Sequence, residues 1–158
     1  IMPCNTAHIF ADDIKKAIGV PFISIVEETV GEILKLYPKH KQIGLMATSA
    51  CIESEIYQKA LINTDKLAVC PDQKFQEQCM QAIFAIKDGE EINPMRNRMI
   101  EVAEHIIDKG AETIIAGCTE IPLIINSSDI EVPLISSTEI LAIRTIEFAT
   151  GMELLRTT

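Results

Sequence analysis

Two cysteines in this chain stand where a thiol can do chemistry. Cys4 opens the run Cys4-Asn5-Thr6-Ala7-His8, and Cys118 sits in Gly117-Cys118-Thr119-Glu120. Each follows a short apolar run and precedes small polar residues. A thiol between a strand end and a helix start lies near unpaired backbone N–H groups, whose partial positive charge favours thiolate. Lowering a thiol pKa from about 8.5 to about 7 corresponds to about 2 kcal/mol. Asn5, Thr6, Thr119 and the backbone around them are donors of the kind that hold a carboxylate. Two such sites facing one another make a pair of acid/base groups around one carboxylate-bearing carbon.

The surroundings of the two cysteines echo each other. The first half reads IMPCNTAH and then VPFISIVEET. The second reads IIAGCTEIP and then VPLISSTEI. Cys4 precedes Pro21 by 17 residues and Cys118 precedes Pro133 by 15. This pattern reads as a degenerate duplication that sets the two thiols in equivalent positions across a pseudo-two-fold cleft.

The remaining cysteines have plainer readings. A single buried, inert thiol is the ordinary case. Cys79 falls on the apolar face of a helical stretch and reads as core. Cys70 precedes Pro71 in a loop, and Cys51 reads as a contact residue at most. The Cys count is five, with no CxxC spacing, which excludes a disulfide scaffold or a structural zinc site as the expectation. No metal site is expected. Free thiols point to a reducing, cytoplasmic compartment. The net charge of −9 repels phosphate backbones and anionic membrane surfaces, so neither nucleic acid nor membrane is expected as a partner. His105 reads as solvated, and His40 shows no partner.

Short apolar runs alternate with amphipathic stretches along the chain. Strands are expected at 1–3, 22–25, 42–47, 66–69, 112–116 and 133–135. Helices are expected at 10–18, 27–36, 49–61, 73–87, 94–109 and 138–150. Phe75, Cys79, Ala82, Ile83 and Ile86 share one face, as do Met95, Met99, Val102, Ala103 and Ile106. Pro94 suits a first helical turn, Gly110 the position past a helix end, and Ser137 a helix cap. Repeated β-then-α order implies an α/β fold with right-handed crossovers and a mostly parallel sheet, with sites beyond the carboxyl ends of strands.

The motifs Cys4–His8 and Gly117–Glu120 resemble the paired signatures of the aspartate/glutamate racemase family, and the likeness runs over the whole chain in order and spacing. His8 and Glu120 resemble the aspartate racemase branch. The resemblance implies two pseudo-symmetric, doubly wound α/β domains with the site between them, the first incomplete here. It divides the chain into 1–25 with 132–158 as the remainder of an N-terminal-type domain, and 26–131 as the second. It also implies that an N-terminal strand, a Gly-rich turn and an Arg-bearing loop of the family pattern precede these residues, which cover about its last two-thirds.

The implied chemistry is racemisation of an acidic amino acid, aspartate first and glutamate second, by a homodimer in the complete protein. No cofactor is implied. Cys4 and Cys118 act from opposite faces of the α-carbon. Asn5, Thr6, Thr48, Ser49 and Thr119 bind carboxylate, and Lys87 meets the side-chain carboxylate. The family's turn ATTGT reads here Ala47-Thr48-Ser49-Ala50-Cys51, which removes a glycine and leaves Ser49 to compensate. His8 either tunes Cys4 or Glu120 or caps local backbone. Glu120 either tunes the second thiol or accepts from backbone donors. Lys87 also suits a helix C-terminus, and the three threonines suit turn caps. Related diacid isomerases such as maleate isomerases are the alternative, with hydantoin racemases, arylmalonate decarboxylases and an inactive fragment that binds acidic ligands or assembles with a partner.

Overall fold

Alternation along Gln42–Ala47 sends Ile43, Leu45 and Ala47 to one face and Gly44 and Met46 to the other, and both faces are buried. Such a strand needs neighbours on both sides and helices above and below. The computed structural model describes residues 1–152 and supplies them. Strands β1 (Gln42–Ala47), β2 (Leu67–Val69), β3 (Thr113–Gly117) and β4 (Leu134–Ser136) form one parallel sheet in the order β2-β1-β3-β4. The helices are α1 (Ala11–Ala17), α2 (Ile25–Leu36), α3 (Ser49–Glu53), α4 (Ile56–Leu61), α5 (Gln73–Lys87), α6 (Ile92–Asp108), α7 (Ile121–Ile124) and α8 (Ser137–Thr150).

Helices cover both faces. Met46, Ile114 and Ala116 pack with α5, α6 and α7, while Ile43, Leu45, Ala47 and Ile115 pack with α2, α4 and α8. From β1 the chain moves outward to β2, and from β3 it moves outward to β4. Connections therefore leave the carboxyl ends of β1 and β3 in opposite directions, which opens a crevice between them.

Most of the expected elements are present, several with shifted ends. Residues 1–3 and 22–25 are not strands. A strand exists only where its N–H and C=O groups find a ladder partner, and among the described residues these segments have none. Residues 22–24 instead lead into α2, whose first turn is capped by Ser24 accepting from Glu27 N at 3.3 Å. Residues 153–158, which close the expected 132–158 segment, lie outside the described residues. β4 of that segment pairs with β3.

The expected helix 49–61 is two helices. Glu55 takes a left-handed conformation at φ 58° and ψ 24°, so the chain turns and restarts as α4. Ser54 Oγ donates to Cys51 O at 2.9 Å and closes the end of α3. The cap of α8 is Ser136, which accepts from Glu139 N at 3.2 Å. Ser137 turns inward instead. His105 is not solvated: its ring stacks on Phe75 at 3.9 Å, and Nε2 accepts from Asp72 N at 3.2 Å. Counting aliphatic residues alone misses an imidazole that fills the seam between two helices. Lys66 is another buried polar residue. Its buried side chain donates to Tyr37 O at 3.0 Å and Pro38 O at 3.2 Å, satisfying carbonyls where α2 ends.

At Gly44 the α6 side chain Ile106 lies close against the sheet. A Cβ there would meet Ile106 Cγ2 at 2.7 Å and Ile114 Cγ1 at 2.8 Å. Overpacking of this kind costs about 1–3 kcal/mol. Gly44→Ala is expected to lower the urea midpoint by a corresponding amount with an unchanged slope. An unaltered midpoint would mean that α6 is free to move away.

Candidate active site

β1 and β3 end together. Ala47 is in register with Gly117, so Thr48 and Cys118 are the next residues out on adjacent strands. Thr48 caps α3 by accepting from Cys51 N at 3.2 Å, and its hydroxyl lies 2.7 Å from that of Thr6. This bond ties the Cys4 loop to the carboxyl end of β1. Cys4 is exposed there, and Cys118 is buried at 7% exposure.

The Cys118 thiol has a defined proton. Its Sγ–H donates to Glu120 Oε2 at 2.8 Å, which also accepts from Thr119 Oγ1 at 2.9 Å. Lys87 Nζ stands 3.6 Å from Glu120 Oε1. Burial, and then the bond to the Glu120 carboxylate, push the Cys118 thiol up to about 12. Burial opposes ionisation of Glu120, but the bonds from Cys118 and Thr119 and the charge of Lys87 together outweigh it and hold that carboxyl below its usual range. The pair is therefore a thiol beside a carboxylate, with the proton on sulfur.

The other expected residues divide into two groups. Thr6, Thr48, Ser49, Thr119, Glu120 and Lys87 share the crevice end of the sheet with Cys118. Lys87, at the end of α5, keeps a half-exposed side chain, so its cation serves Glu120 and the helix terminus together. Asn5 and His8 turn inward. Asn5 is 3% exposed, with Tyr57 Oη donating to its Oδ1 at 2.5 Å and its own Nδ2 donating to Ser137 Oγ at 3.1 Å. His8 Nε2 accepts from Ile25 N at 3.2 Å, which leaves the proton on Nδ1, donating to Cys4 O at 2.9 Å. Burial lowers the His8 pKa further, so the neutral ring clamps the Cys4 loop to the start of α2. It bonds the Cys4 backbone; no bond from its ring to the Cys4 sulfur or to Glu120 is formed.

Cys51, read from the sequence as a contact residue at most, lies near the site, and Gln76 is a residue of the site that the sequence reading missed. Cys51 is fully buried, and its thiol is pushed up to about 12 by burial and then by the neighbouring Cys118 and Cys4 sulfurs. It thus lies within electrostatic reach of both thiols. Gln76 Nε2 donates to Ala47 O at 3.0 Å and Ser49 Oγ at 3.2 Å, which fixes the turn after β1. The signal was present: Gln76 precedes Cys79 by three residues on the inner face of α5. Among the described residues no group of three or more His, Cys, Asp or Glu side chains is arranged to hold a metal ion. None of the described helices is long and apolar enough to cross a membrane.

Residues 1–145 match the model of the Asp/Glu/Hydantoin racemase family. The chain belongs to that family. The broad specificity amino-acid racemase RacX of Bacillus subtilis is 33% identical over 145 residues, which is 92% of this chain and 62% of that protein. An aspartate racemase homologue from Pyrococcus horikoshii superposes with a TM-score of 0.79 at 28% identity, covering 93% of this chain and 64% of its own. The aspartate racemase of Picrophilus torridus gives 0.73 at 29%, covering 94% and 60%. This racemase-family chain thus spans somewhat under two-thirds of the length of each of these relatives. The family expected from the two cysteine motifs is the one found, and so is its parallel α/β fold.

The protonation state of the Cys118–Glu120 pair is open to direct test. Iodoacetamide reacts with thiolate, so labelling of Cys118 is expected to be very slow at pH 8 and to rise tenfold per pH unit toward about 12. Glu120→Gln removes the negative neighbour, which lowers the Cys118 pKa and speeds labelling at pH 9. Mass spectrometry resolves Cys118 from Cys4. Labelling of Cys118 at pH 8 as fast as free cysteine would place the proton elsewhere.

Proposed function

We propose that the protein interconverts the enantiomers of an acidic amino acid without a cofactor, aspartate first and glutamate second, through Cys4 and Cys118. The observation that carries this reading is the 2.7 Å bond between Thr6 and Thr48, because it ties the Cys4 loop to the strand end beside Cys118. Family membership supports it, as does likeness to one aspartate racemase and one homologue of such an enzyme.

Held as a thiol by burial and by Glu120, Cys118 is the acid, and Cys4 as thiolate is the base. Cys4 takes the α-proton, and the electron pair of the broken C–H bond moves into the α-carboxylate to give an enediolate. Cys118 then gives its proton to the opposite face, and the new C–H bond forms there. The site is left with Cys4 as thiol and Cys118 as thiolate, ready for the reverse direction. A thiolate beside the Glu120 carboxylate is a like-charge pair, which drives reprotonation of the sulfur, and Lys87 moderates it. Proton transfer by positioned groups contributes about 10²–10⁴-fold. Ser49 and whichever of Thr6 and Thr48 accepts in their mutual bond donate hydroxyl hydrogens to the enediolate, where each well-placed donor is worth about 3 kcal/mol, while the Thr119 hydroxyl stays with Glu120. Asn5 contributes through its remaining amide hydrogen.

The same reading assigns residues 1–25 with 132–158 and residues 26–131 to two facing domains, and the complete protein to a cytoplasmic homodimer. A wider substrate range is the second reading. Two observations favour it: the broad specificity of the Bacillus relative, and the pairing of Lys87 with Glu120, which diverts the cation from a substrate side chain.

Incubation of the full-length protein in D₂O with L-aspartate, L-glutamate and a set of neutral L-amino acids, followed by NMR of the α-proton, tests both. Exchange and inversion with aspartate, abolished as full racemisation in Cys4→Ser and in Cys118→Ser, is the expected result. Each variant should retain exchange with one enantiomer only. Exchange with neutral amino acids at comparable rates would select the second reading, and undiminished turnover in either variant would remove that thiol from the reaction.

A further inference from the structure

A buried polar chain links the two thiol-bearing loops. Tyr57 Oη donates to Asn5 Oδ1 at 2.5 Å, Asn5 Nδ2 donates to Ser137 Oγ at 3.1 Å, and Ser137 Oγ donates to Ala116 O at 2.8 Å. Asn5 is the neighbour of Cys4, and Ala116 is two residues before Cys118. Tyr57 and Ser137 are fully buried, and Asn5 is nearly so. Each polarity follows from the one before. The carbonyl of Ala116 accepts only, so Ser137 must donate to it. Ser137 therefore accepts from the Asn5 amide nitrogen, and the Asn5 carbonyl faces Tyr57. Burial raises the Tyr57 pKa, which keeps the phenol a donor. The chain has one self-consistent arrangement, and that arrangement fixes the backbone of residue 5 relative to the end of β3.

We propose that Tyr57 and Ser137 are positioning residues that set Cys4 against Cys118 through Asn5. The inference rests on the two-thiol reading above. Neither residue reaches the reacting carbon itself. The second thiol is already held by Glu120 and by the strand that carries it. The first lies on a loop that forms no strand, so its placement depends on the side chains that pin it. Those are His8 and Thr6 at one end and this chain at the other.

Loss of the phenolic hydroxyl therefore displaces Cys4 and leaves Cys118 where it is. In the full-length protein, Tyr57→Phe is expected to lower kcat by about 10–100-fold, since a displacement of about 1 Å at a reacting group costs about that much. KM for aspartate should move by less than about 3-fold, because Thr48 and Ser49 lie on another element and of the carboxylate donors only Asn5 loses a partner. Ser137→Ala, which breaks the chain at its other end, should act alike. The deciding readout is the ratio of α-proton exchange to inversion, measured in D₂O from each enantiomer. With Cys4 displaced, the enantiomer deprotonated by Cys118 exchanges more often than it inverts, and its ratio rises while that of the mirror substrate does not. A smaller folded fraction lowers both rates and leaves both ratios alone. Parent-like kcat in both variants, or lost activity with unchanged ratios, would overturn the positioning role while the two-thiol reaction stands. A parent protein that exchanges no α-proton would instead overturn the racemase reading, and this proposal with it.

Discussion

The parallel pairing of β1 with β3 is the constraint on which the rest of the molecule depends. Five register pairs run from Ile43 with Thr113 to Ala47 with Gly117, and both strands are buried on both faces. A parallel pair cannot be closed by a tight turn, so the intervening residues must make crossovers, and helices fill both faces. The same pairing ends both strands at one level. Whatever follows Ala47 and Gly117 is then delivered side by side into the crevice where the connections diverge. Thr48 and Cys118 owe their proximity to strand register, and Thr6 reaches them by one hydroxyl bond.

The crevice solves an electrostatic problem that the overall charge makes harder. Under the proposed reaction, a chain of net charge −9 must receive an anionic substrate and then carry extra negative charge on it. In that proposal neutral donors do most of this work, since hydroxyls and amides bring no counter-charge that must be desolvated. The buried thiol is kept neutral for the same reason, because a desolvated thiolate beside Glu120 is the costlier state. Lys87 is the cation next to that pair, and it stays at the rim where its own hydration is only partly lost.

Much of this was legible in the sequence because it is periodic. The limits of β1 and α5 follow from alternation and from the apolar stripe of Phe75, Cys79, Ala82, Ile83 and Ile86, and both emerge unchanged at Gln42–Ala47 and Gln73–Lys87. The two cysteine motifs were legible as chemistry because each sets a thiol beside small hydrogen-bonding side chains and the chain repeats that arrangement. The rest depends on partners distant in sequence. Residues 1–3 and 22–25 have strand-like composition, but composition supplies no ladder partner. Ser137 looks like a cap, yet Ser136 takes that role, because the inward hydroxyl meets Ala116 O and Asn5, respectively 21 and 132 residues away. Tyr57 gave no local signal that separates it from an ordinary helix residue, and Gln76 gave only its spacing from Cys79. Their roles come from what the fold sets against them.

The break at Glu55 shows how a local cost serves that long-range arrangement. A left-handed conformation at a non-glycine residue costs about 1–2 kcal/mol, and Glu55 is the one such residue among those described. Had 49–61 run as a single helix, as its apolar spacing favours, each residue would advance by a fixed rotation and Tyr57 would face wherever that rotation carried it. The turn at Ser54 and Glu55 resets the phase and redirects the axis, so α4 lies against α2 with Tyr57 fully buried beside Thr29 and Asn5. No glycine occupies the position that would relieve the strain. The surrounding contacts therefore over-determine it: Ser54 closes one helix and Glu55 O accepts the first bond of the next, from Lys59 N at 2.8 Å. A bend that a propensity argument counts as a defect aims the phenol at the residue beside Cys4.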